Sequence, residues 1–202
     1  MNRQRFLLVL ALMAIATLVN GAKTNQVLAT QATPARQVAD RILESEPVPP
    51  EFPAPIRIFN LKVDGKEISF DQKFAADEEW ARSLSFDIKN ISGKVLTRIQ
   101  FSLGLRGSKG NASAPLFFYG SDTLQPGVEP AVRVMPGEVI HVEYNDKYYN
   151  VFKMARDRAG LTSVNAANFC IDALVFDDDT MWRHGAYLRR DSSDPHRWNV
   201  IK

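Results

Sequence analysis

The 202 residues are 45% hydrophobic and 24% charged, enough for one packed domain with appendages. Lys+Arg number 25 against 23 Asp+Glu, but Arg3 and Arg5 fall in the first 22 residues with no acid beside them, so the remainder balances. That balance gives no global preference for nucleic acid or an anionic membrane, and neither is expected as a partner.

In chain order, Met1 to Arg5 is a short basic head, Phe6 to Val19 is an unbroken run of apolar or small residues, and Asn20-Gly21-Ala22 offers small residues for cleavage. This is the pattern of an export signal over residues 1–22. The run is shorter than the ~20 apolar residues of a membrane span, and a retained signal anchor is the competing reading. Lys23 to Thr33 is polar, small and aperiodic, a flexible leader. Thr33-Pro34 then supplies an N-cap and a first-turn proline. Val38 and Ile42 one turn apart predict a short helix from about Pro34 to Ser45. Glu46 to Pro55 holds five prolines and reads as an extended spacer. Residues 23–54 are thus expected to be a tether and 55–202 the domain.

Within the domain, Ile56, Ile58, Leu61 and Val63 predict a first strand. Asp64-Gly65 predicts a hairpin turn, and Glu67 to Phe74 a second short strand. Leu84, Phe86 and Ile88 alternate with polar residues. After the turn Asn90-Ile91-Ser92-Gly93-Lys94, where Gly93 can take positive φ, Val95, Thr97, Ile99, Phe101, Leu103 and Leu105 share one face. Leu96, Arg98, Gln100, Ser102 and Gly104 share the other. This central pair is a long hairpin or two strands turning between sheets. Ser108 to Arg133 is loop, with a brief strand at Leu116 to Tyr119. Val139 to Tyr144 alternates again. Asn145-Asp146 caps a helix whose apolar side carries Tyr148, Phe152, Ala155 and Ala159, closed by Gly160-Leu161. Asn168 to Phe176 is a strand buried on most of both faces. After a turn at Asp177 to Thr180, Met181 to Leu188 is the last strand, with Gly185 a bulge. Arg189 to Lys202 is a polar tail. Seven or so short strands with one inserted helix predict an all-β, immunoglobulin-like antiparallel β-sandwich with a helical, Pro-rich N-terminal extension.

The phrase from Leu84 to Leu96, its alternating strand and the later Met135-Pro136-Gly137-Glu138 resemble bacterial exported immunoglobulin-like domains of the FxLYD type. The closing Val175-Phe176-Asp177-Asp178-Asp179-Thr180-Met181-Trp182 resembles a Phe-Asp-Asp-Gly-Thr-x-Trp ending of secreted bacterial proteins, with Asp179 where glycine is usual. The resemblance implies a sandwich fold and an exported setting, and supplies no catalytic residues.

Chemistry-bearing residues are few. Asp177, Asp178 and Asp179, with Asp172 upstream, are the candidate Ca²⁺ ligands, though no D-x-D-x-D-G loop is present and alternate residues of a strand diverge. The alternative is a solvated turn. His184 with Asp177 or Asp194 is the one imaginable acid–base pair. Cys170, the only cysteine, excludes an internal disulfide and reads as a small buried hydrophobe. One aromatic–basic cluster stands out: Trp182, Tyr187 and Trp198, with Arg183, Arg189, Arg190 and Arg197 interleaved. As a surface it suits a sugar ring or a protein partner. In the alternative, Trp182 is core and Trp198 pins the tail. The expected protein is therefore an exported, periplasmic or extracellular, non-catalytic binding or structural module. It needs no cofactor and touches a membrane only through an uncleaved anchor. The alternative is a carbohydrate-binding or accessory module of an envelope enzyme.

Overall fold

Apolar and polar residues alternate into two β-sheets that face one another across an aromatic core. The computed structural model describes residues 37–106, 113–120 (backbone only), 132–144 and 146–201. The expected export signal and leader, and most of the long loop after Arg106, lie outside the described residues. The smaller sheet has the order β3 (Lys66–Glu67), β2 (Ile56–Val63), β5 (Ser85–Asn90), β8 (Val139–Glu143). The larger sheet is organised on β9 (Ala166–Phe176). One edge of β9 pairs along its length with β6 (Leu96–Leu105), which in turn pairs with β7 (Ser113–Gly120). Its other edge is shared. β10 (Thr180–Arg183), β11 (Ala186–Arg190) and β12 (Trp198–Val200) continue from its C-terminal half. β1 (Ala39–Ser45) lies parallel on its N-terminal half and carries β4 (Lys73–Ala76).

Phe86 of β5 meets Phe101 of β6 at 5.6 Å and Phe169 of β9 at 5.2 Å between ring centroids, so the two sheets lock through edge-to-face rings. Burying each such ring stabilises by about 1.5–3 kcal/mol. Leu84, Phe86 and Ile88 are all buried, as their period requires. Helix α1 (Asp146–Arg158) presses Tyr149 and Phe152 onto this core beside Trp80. The Leu161 amide donates to Arg156 O and the Gly160 amide to Asp157 O, with Gly160 at φ 71°, the paired-bond stop expected of Gly160-Leu161. Asp64 (φ 51°) and Gly65 (φ 72°) make the left-handed two-residue turn between β2 and β3.

Several expectations change. The segment expected to be helical holds β1 instead, because Ile42 and Leu43 find partners in Ala166 and Ala167. Buried Arg41 donates to Ala76 O, Val164 O and Asn165 Oδ1. The folded unit thus begins upstream of Ile56, and the proline-rich stretch is a crossing between sheets rather than a free spacer. Of the two arrangements open to the central pair, the structure has the strands turning between sheets, β5 in one and β6 in the other. A register shift between Leu96 and Arg98 turns Leu96 inward, fully buried, and leaves Val95 and Thr97 half-buried. Gly93 is not left-handed. Asn90 organises that turn, accepting from the Ser92 amide and hydroxyl. The expected last strand is two strands, with His184 (φ 46°) and Gly185 (φ 78°) forming a hairpin turn in place of a bulge. The expected tail ends in a third strand, β12.

Candidate functional site

Register decides where the aromatic–basic cluster goes. Trp182 stands opposite Tyr187 in the β10–β11 pair, and Arg190 opposite Trp198 in the β11–β12 pair. Successive residues alternate faces, so Trp182, Tyr187 and Arg189 belong to the inner face and Arg190 and Trp198 to the outer one. Trp182 is 1% exposed and its Nε1 donates to Phe52 O at 3.1 Å, a core position. Tyr187 packs on the main core and lines an apolar groove of about 580 Å³ with Phe176, Ile91 and Ile201. Arg189 is exposed. The five expected residues therefore do not make one surface.

The aspartate turn resolves into separate ion pairs. Asp177 meets Arg133 at 3.3 Å, Asp178 meets Lys94 at 2.6 Å, and Asp179 meets Arg190 at 3.1 Å. Asp179 occupies the position of the usual glycine at φ 59°, a conformation aspartate tolerates better than most residues. Among the described residues, no three His, Cys, Asp or Glu groups gather closely enough to hold a metal ion. Cys170 is half-buried, and burial pushes its thiol up to about 11, so little thiolate forms near neutral pH.

The outer face of the larger sheet holds a cleft of about 250 Å³. Its floor is the small apolar cluster Ala173, Val175 and Met181, against which Trp198 packs. Arg190 lies over the Trp198 ring, 5.0 Å from its centroid. The polar wall comes from β6 and β9. There the register slips: Gln100 pairs with Ala173 and Phe101 with Ile171, so Asp172 is an extra residue. Its Oδ1 accepts from Ser102 Oγ at 2.8 Å and its Oδ2 from Gln100 Nε2 at 3.3 Å, while Gln100 Oε1 accepts from Arg98 Nη2 at 3.2 Å. Burial pushes the Asp172 carboxyl above its ordinary range, and hydrogen bonds from Ser102 and Gln100, with nearby His184, hold it partly back. Arg183 and His196 are exposed at the mouth. The arrangement offers one flat apolar wall, a hydrogen-bonding row and two basic groups.

Of the expected cluster, Trp198 and Arg183 line this cleft, and Arg190 backs it through the Trp198 ring. Asp172, expected only beside the aspartate turn, joins Gln100 and Arg98 here, and none of the three was expected beside Trp198. A signal for them existed: Arg98, Gln100 and Ser102 form the wet face of the β6 pattern, and Asp172 interrupts an otherwise apolar run. Comparison with family models, curated proteins and solved structures finds no match to this chain.

Proposed function

We propose that the chain is an exported, non-catalytic, immunoglobulin-like sandwich of the cell envelope, akin to FxLYD-type domains, that binds a saccharide through the outer cleft. The carrying observation is the meeting of Trp198 with the Arg98–Gln100–Asp172 row in one small cleft. A sugar ring has an apolar face for an aromatic wall and equatorial hydroxyls for a fixed row of donors and acceptors. About 250 Å³ lies below the ~300–1,000 Å³ of drug-sized sites and suits a single ring. Two sheets packed face to face, antiparallel except for the parallel β1–β9 pair, support the fold part of this reading, and the N-terminal basic–apolar pattern supports export. A protein partner is the second reading. It is favoured by the apolar groove at Tyr187, where Ile91 is 56% and Ile201 48% exposed.

Calorimetry with soluble envelope polysaccharides and their monosaccharides tests the proposal. Arg183→Ala and Gln100→Ala should each weaken a bound saccharide at least tenfold with the melting temperature little changed. Absence of any saccharide binding, or binding indifferent to both substitutions, would overturn it.

A further inference from the structure

The proline-rich crossing from β1 to β2 roofs a second space, on the inner side of the larger sheet and separate from the outer cleft. Its volume is about 370 Å³. Trp182, 1% exposed, and Phe169, 3% exposed, form its floor. Ile58, Phe70 and Ile171 pack against the core yet remain half-exposed, and all three line this space under Val48 and Pro49. The roof is held at three points. The Glu46 amide donates to Phe169 O at 3.1 Å, Trp182 Nε1 donates to Phe52 O at 3.1 Å, and Pro49 sits so close to the β10–β11 turn that a Cβ on Gly185 would fall 2.6 Å from its Cδ.

Protein interiors are packed with few voids larger than a water molecule. An apolar cavity of ~150 Å³ is enough to hold benzene, and this one is more than twice that size. At its rim Glu46 Oε2 lies 3.7 Å from His184 Nδ1, and among the described residues no lysine or arginine lines the space. A roofed apolar slot with a single carboxylate at its rim selects by shape and by charge. We infer that it is a binding site for a small planar hydrophobe of two-ring size bearing a protonated amine, with the rings between Phe70 and Ile171 and the amine against Glu46.

Titration calorimetry on the full chain with 2-naphthylmethylamine and 2-naphthoate tests this. The amine should saturate one site at least tenfold more tightly than the carboxylate, and Glu46→Gln should remove that preference. Ile171→Trp should fill the slot and abolish binding in a protein that circular dichroism shows to be folded. Should that variant fail to fold, Val48→Trp, in the roof and outside the strand ladders, serves the same purpose. No saturable binding of the amine, equal binding of the two compounds, or undiminished binding in the folded, filled variant would each overturn the assignment.

Discussion

Replacing Asn90 by alanine removes four hydrogen bonds from a side chain with no exposed surface. Its Nδ2 donates to Lys94 O at 2.8 Å and Val134 O at 2.9 Å, and its Oδ1 accepts from the Ser92 amide at 3.0 Å and the Ser92 hydroxyl at 2.6 Å. At a net ~0.5–1.5 kcal/mol each, four bonds bound the loss at ~2–6 kcal/mol. The two carbonyls are not orphaned, since Val134 O still accepts from the Leu96 amide, and the single Ser92 hydroxyl proton, released from Asn90 Oδ1, can turn to Lys94 O. That places the expected cost in the lower half, ~2–4 kcal/mol. Asn90→Asp is the sharper test. It keeps the acceptor for Ser92 but sets a carboxylate against two carbonyl oxygens, so its folded pKa is raised. The variant should match or approach wild type below the unfolded value of about 3.9, and lose stability relative to wild type as pH rises from there through its raised folded value. Urea unfolding followed by tryptophan fluorescence at pH 4 and pH 7 measures both. An alanine variant within 1 kcal/mol of wild type, or an aspartate variant with the same deficit at both pH values, would refute the account of this turn.

Two further outcomes follow from the geometry. His141 Nδ1 lies 2.6 Å from Asp87 Oδ1 and its Nε2 3.4 Å from Glu143 Oε1. The Asp87 hydrogen bond raises the imidazole pKa, while bonds from His141 and Asn60 lower that of Asp87. The histidine's contribution is therefore complete below about pH 6.5 and is lost as pH rises through its raised folded value; the aspartate's is present above about pH 3.9 and is lost as pH falls through its lowered one. In melting-temperature profiles from pH 5 to 9, wild type should decline on the alkaline side and His141→Gln should remove that decline. Gly185→Ala should destabilise by ~2 kcal/mol or more in urea melts, since φ is 78° and the new methyl would meet Pro49 Cδ at 2.6 Å; a loss below ~0.5 kcal/mol would mean that the crossing segment moves freely off the turn.

Where an element is decided by its own pattern, the sequence was readable. The two-residue period of Leu84, Phe86 and Ile88 and the glycine stop at Gly160 both carry their physics locally. β1 could not be read this way. Ile42 follows Val38 by one helical turn, and its pairings with Lys73 and Ala166, neither of them local, make it a strand, so tertiary pairing overrides local spacing. The cleft was hidden for a related reason. Asp172 reaches Gln100 and Ser102 through a one-residue slip between β6 and β9, and no periodicity within either strand reports a slip against its neighbour. The aromatic cluster looked contiguous because its members are close in number. Reading His184-Gly185 as a tight hairpin turn would have set Trp182 opposite Tyr187, but the face of Trp198 follows from its pairing with Arg190 in β12, a strand that the polar tail did not announce.

The shared edge of β9 sets an order of assembly. A chain made from its N-terminus at ~5–20 residues per second produces β1 early and its parallel partner about 125 residues later. Through that interval, roughly 6–25 s, Leu43 and Arg41 lack the β9 side of their final surroundings. The antiparallel partner β4, about 30 residues downstream of β1, arrives much sooner and offers a shorter loop to close. Loop closure therefore favours pairing of the β1–β4 ribbon ahead of its docking onto β9. Arg41, bonded to Ala76 O on one side and to Val164 O and Asn165 Oδ1 on the other, closes the seam when the late strand arrives.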